Sequence, residues 1–135
     1  MAEISVALRQ HGETASLATI RDHQFVLDRP EAKGGTNAGP MGGEALLASV
    51  GGCFMSNLRA AISAREGVQV DGITLAITAT LADTGDRFAA IHLEVAADAD
   101  QDELQKLVTI ADRACIAANT IRPAVDLTVS VGRKD

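Results

Sequence analysis

Two cysteines, Cys53 and Cys115, carry the most reactive side chains in this sequence of 135 residues. A thiol of ordinary pKa, about 8.5, is only about 3% thiolate at neutral pH, and apolar surroundings lower that fraction. Lowering the pKa by 2–3 units takes roughly 3–4 kcal/mol of preferential stabilisation of the anion, which a desolvated guanidinium can supply. Arg29, just before a Gly-rich segment, is the arginine best placed by sequence, with Arg9 and Arg21 as weaker choices. Helices packed side by side lie about 8–10 Å apart, so cysteines on facing stripes can come within bonding reach and form a redox pair. The alternative is that each thiol is a small buried hydrophobe.

Gly51-Gly52 directly precedes Cys53. Each glycine inside a helix costs about 0.8–1 kcal/mol relative to alanine, so something should offset it. Three arrangements would do so: close approach of another backbone or a small substrate, a helix break that puts Cys53 at a fresh N-terminus, or tight packing of helix on sheet.

The elements that must position these thiols follow from hydrophobic spacing. Alternation at Ile4, Val6 and Leu8, at Ala15, Leu17 and Thr19, and at Phe25 and Leu27 predicts three short strands, with turns at His11-Gly12 and Arg21-Asp22. Residues 30–43, PEAKGGTNAGPMGG, form a loop. Apolar residues at three- and four-residue steps predict a largely buried helix over residues 44–66, capped by Gly67 and carrying cations in its last turn. Ile73 to Leu81 and Ala89 to Val95 form a hairpin about Asp83-Thr84-Gly85-Asp86. Asp100 and Glu103 form a capping box for a second helix whose stripe runs from Leu104 to Cys115. Pro123 ends it, and alternation from Val125 to Val131 makes a last strand before the charged tail Arg133-Lys134-Asp135. The expected class is α+β, in the order βββ-α-ββ-α-β, as a single domain over residues 1–135 with two long helices on antiparallel sheets.

With 47% hydrophobic and 22% charged residues the chain has the composition of a packed protein. A net charge of −6 disfavours nucleic acid and anionic membrane as partners. The longest uncharged stretch, Ala45 to Leu58, is shorter than the ~20 residues of a membrane span, and the start MAEISVALRQ lacks the features of a signal peptide, so cytoplasmic residence is expected. The Gly-rich segment lacks a GKS or GKT ending, so no nucleotide is implied and no cofactor is expected. His11, His23 and His92 lack ligand-like spacing with one another or with the cysteines, which leaves no metal site. His92 and Glu94 read as a solvated pair on the outward face of a strand. No GxSxG elbow occurs, so hydrolase chemistry is unsupported. The acidic run Asp98 to Glu103 is a helix start rather than a calcium loop.

The run GGTNAGPMGGEALLASVGGCF, with Cys53 followed by Phe54 and a second cysteine at the end of the next helix, resembles the OsmC/Ohr family of osmotically induced and organic-hydroperoxide-resistance proteins. The resemblance covers nearly the whole chain and is most specific over residues 34–54. It implies an intertwined homodimer in which Cys53 attacks the O–O bond of a small hydroperoxide, Cys115 resolves the sulfenate to a disulfide, and an external dithiol reduces that disulfide. It also implies that an arginine steadies the thiolate and a glutamate orients the arginine, roles falling to Arg29 and Glu44. Two features depart from the hydroperoxide-resistance pattern and resemble a looser OsmC-like branch: Glu44 stands one residue later than that acid, and Ile116 follows Cys115 where proline is common. Glu44 precedes Cys53 by nine residues, about 13.5 Å along a straight helix, too far for direct contact. Two functions stay open: a thiol-dependent peroxidase for organic hydroperoxides and, more weakly, hydrogen peroxide, and an OsmC-like stress-associated dimeric binding module whose thiols only pack.

Overall fold

A computed structural model describes residues 2–133; Lys134 and Asp135, in the expected charged tail, lie outside the described residues. The chain divides into two compact units, one running to Leu46 and the other from Leu47.

In the first unit, β1 (Ala7–His11), β2 (Ala15–Ile20) and β3 (His23–Leu27) form an antiparallel meander, with Leu8 opposite Ala18 and Ala18 opposite Phe25. Ile4 and Val6, expected in the first strand, precede it. The segment after β3 is a loop with one 3-10 turn at Glu31–Lys33. Asp28 organises it: the buried carboxylate accepts from the backbone N–H of Arg29, Thr36 and Ala38 and from Thr36 Oγ1. A Cβ on Gly35 would stand 2.0 Å from Arg29 O, and one on Gly39 2.1 Å from Val26 O, so the loop can fold back on β3 only with glycine at both positions.

Helix α1 (Gly42–Ser63) begins in this unit. Glu44 Oε1 accepts from Met41 N at 2.8 Å, half of a capping box. At 22 residues the helix has the length and composition of a membrane span, although its most apolar stretch is interrupted by glycines and a serine. It is less buried than the sequence implies: only Val50, Gly51, Phe54 and Leu58 are fully covered. It ends at Ser63, four residues before Gly67, with no cation in its last turn.

In the second unit, β4 (Asp71–Leu81) and β5 (Phe88–Asp98) form the expected hairpin, with Leu75 opposite Val95, Ile77 opposite Leu93 and Ala79 opposite Ile91. Helix α2 (Gln101–Ala114) starts at Asp100, whose Oδ1 accepts from Glu103 N at 2.9 Å. Two features differ from the expected order. The second helix is interrupted at Cys115, and a short α3 (Ile116–Ile121) follows. The last strand, β6 (Asp126–Val131), joins β5 in parallel rather than antiparallel, because the chain crosses over through α2 and α3. Val50, Phe54 and Leu58 of α1, Ile91, Leu93 and Val95 of β5, and Leu104, Leu107, Val108 and Ala111 of α2 form one buried core.

Candidate functional site

Cys53 sits at mid-helix on α1, and the residue two before it explains how it gets there. A Cβ on Gly51 would stand 2.5 Å from Ile77 Cδ1 and 3.2 Å from Leu75 Cδ2, whereas one on Gly52 would meet nothing within 4 Å. Gly51 therefore lets α1 lie close on β4, which settles one of the three arrangements left open by the sequence; the helix does not break there. Cys53 is half-buried and packs against the core cluster.

Cys115 is fully buried and extended in backbone conformation, between α2 and α3. Its N–H makes only a 3.4 Å bond to Asp112 O. Asn119 Nδ2 donates to Arg113 O at 3.0 Å, and the Arg122 guanidinium bridges Asn119 Oδ1 and Asp112 Oδ1, which ties the two helices together across the break.

Cys115, at this break, belongs to the core cluster against which Cys53 packs. Burial pushes the Cys53 thiol up, but hydrogen bonds from Ala117 N–H, the Cys115 thiol and Ile116 N–H outweigh it and hold Cys53 below the ordinary thiol range. Cys115 moves the other way: burial and the neighbouring Cys53 sulfur, through hydrogen bonding and charge, hold it above that range despite the amides of Ala118 and Ala117. A thiolate was expected to need a cation; the groups acting on Cys53 within this unit are uncharged dipoles. Asn57, one turn along α1, adds a side-chain donor, with Nδ2 2.9 Å from Cys53 O and 3.8 Å from Cys53 Sγ. The available signal in the sequence was an asparagine in a helix interior, four residues after the cysteine.

The other candidate residues lie in the first unit. Arg29 is exposed at the start of the loop, where its N–H meets Asp28 Oδ1 and its carbonyl accepts from Asn37 N–H. Glu44 has its capping role on Met41. Arg9 is exposed on β1, and Arg21 has φ 55 at the β2–β3 turn. His92, expected to pair with Glu94, bonds instead to Thr128 Oγ1 and to Ser130 Oγ, 2.8 Å away, on β6. Among the described residues no group of three His, Cys, Asp or Glu side chains is arranged to hold a metal ion.

The model of the family described as OsmC-like protein matches residues 35–130. No curated protein gives a sequence match. Among solved structures, a hypothetical protein from Aquifex aeolicus superposes with TM-score 0.82 at 17% identity, covering 99% of this chain and 98% of that one. An organic hydroperoxide resistance protein OsmC from Legionella pneumophila superposes with TM-score 0.74 at 23% identity, covering 98% and 99%. OhrB of Bacillus subtilis, also an organic hydroperoxide resistance protein, superposes with TM-score 0.68 at 22% identity, covering 97% and 98%. At these identities the likeness is one of fold.

Proposed function

The chain belongs to the OsmC-like protein family, and from that premise we propose that it is a cysteine-based peroxidase that reduces organic hydroperoxides. What supports this function is the placement of Cys53 and Cys115 in one packed cluster, with the Cys53 thiol held low and the Cys115 thiol held high. The Cys53 thiolate attacks one oxygen of R–O–OH, and the O–O bond breaks. The alkoxide leaves and is protonated to the alcohol, and Cys53, oxidised by two electrons, becomes a sulfenic acid. The Cys115 sulfur, losing its proton, attacks the Cys53 sulfur, and an S–S bond forms as water leaves. An external dithiol reduces the disulfide and is itself oxidised, which requires a reducing compartment such as the cytoplasm. Apolar neighbours of Cys53 in the core cluster favour alkyl or aryl R groups over hydrogen peroxide.

We also propose that the protein works as a homodimer. Ile4, Val6, Leu8 and Phe25, which are 89%, 55%, 55% and 42% exposed, give the first unit an apolar surface suited to a second copy.

The test is addition of cumene hydroperoxide to the reduced protein. Consumption of peroxide with loss of two free thiols, abolished by Cys53→Ser, supports the peroxidase. Thiols that stay reduced while the peroxide persists refute it and leave a binding module with packed cysteines.

A further inference from the structure

Asn57 follows Cys53 by one helical turn and lies half-buried on the same side of α1. An amide nitrogen carries two hydrogens, so Nδ2 can donate to Cys53 O at 2.9 Å and reach Cys53 Sγ at 3.8 Å at the same time. Asparagine is a poor helix-interior residue because its side chain competes with the backbone for hydrogen bonds, and here that side chain is turned onto the cysteine.

We propose that Asn57 is a positioning residue that tethers itself to the Cys53 carbonyl and aims its second N–H at the Cys53 sulfur, holding that sulfur as an anion. The inference rests on Cys53 being the reacting sulfur. A neutral thiol gains little from a donor 3.8 Å away; a thiolate is a stronger acceptor and draws the N–H closer. The titratable group facing Cys53 from the α2–α3 break is Cys115, and the remaining donors are the main-chain amides of Ile116 and Ala117. Asn57 is thus a donor that substitution can remove while leaving α3 in place.

The test is alkylation of the reduced full-length protein with iodoacetamide between about pH 5 and pH 10, with labelling of Cys53 and Cys115 read separately by peptide mass. Asn57→Ala, which favours the helix, and Asn57→Asp, which keeps the shape but has no N–H, each raise the Cys53 midpoint by about 0.5–1 unit. Below the midpoint, labelling slows about three- to tenfold, while the Cys115 midpoint stays in place. A Cys53 midpoint that moves less than about 0.2 unit in Asn57→Ala, or one that moves only together with Cys115 as general loosening would cause, overturns the role. A shifted midpoint in a protein that does not consume hydroperoxide upholds Asn57 and refutes the peroxidase; hydroperoxide turnover with an unshifted midpoint does the opposite.

Discussion

Removal of the Cys115 thiol tests whether one sulfur prepares the other. Cys115 is one of the groups that hold the Cys53 thiol low, and the amides of Ala117 and Ile116 are the others. A hydrogen bond to a charged acceptor contributes about 1.5–3 kcal/mol, and a weak S–H donor about half of that. At about 1.4 kcal/mol per pH unit, Cys115→Ala raises the Cys53 midpoint by roughly 0.5–1 unit. Cys115→Ser keeps a hydroxyl donor in the same place and leaves the midpoint at or below that of the wild type. Iodoacetamide labelling of Cys53 against pH measures all three proteins. Equal midpoints in the Ala and Ser variants would refute the donor role, as would a fall in Cys115→Ala. The sign also appears in stability. Because Cys53 is held low, the unfolded chain binds more protons between the folded midpoint and the ordinary thiol value near 8.5, and stability rises with pH across that window. Cys115, held high, reverses the slope at more alkaline pH, where the folded chain keeps the proton that the unfolded chain has lost.

Two further outcomes follow from packing and from the first-unit loop. Gly52→Ala gains about 0.5–1 kcal/mol of helix propensity with nothing in its way, whereas Gly51→Ala drives a methyl into Ile77 and Leu75 and falls below it by about 1–3 kcal/mol in urea unfolding; equal stabilities would contradict the close approach of α1 to β4. Asp28 is held far below the usual carboxylate range by Thr36, Ala38 and Arg29 donors, with burial opposing them. Its stabilising contribution is present above the unfolded carboxylate value of about 3.9 and is lost as pH falls through the lower folded value, so the wild type's advantage over Asp28→Asn in thermal melts shrinks on acidification. A difference independent of pH would remove the loop-clamp role from this carboxylate.

The strands, the hairpin and the start of α2 were legible because their signals are local: alternation at Leu75, Ile77 and Ala79, and an Asp100 oxygen three residues from the N–H it accepts. What was not legible depends on contacts distant in sequence. Gly51 was visible as an anomaly, but its cause is the Leu75–Ile77 surface of another element. The early end of α1 is similar: residues 64–66 carry no breaker, yet Arg65 leaves the helix, with its N–H on Ile62 O and its guanidinium on Glu103 of α2. Both cysteines stood out in the sequence, whereas the neutral donors around Cys53 did not, because a low thiol pKa is ordinarily the work of a neighbouring charge. Main-chain amides leave no mark in a sequence.

The break at Cys115 connects these observations. In an uninterrupted helix the Ile116 and Ala117 amides would bond to Asp112 O and Arg113 O, four residues back, and neither would be free for a sulfur. Here Asp112 O takes Cys115 N instead, and Arg113 O takes the side-chain N–H of Asn119. Both carbonyls keep a partner, so the interruption leaves the two amides as donors without orphaning an acceptor. Those amides act on Cys53, and the residue at the break is Cys115 itself. A single local change of backbone direction thus supplies the donors that favour one thiolate and delivers the second sulfur beside it. Restoring helical continuity would cost the site both.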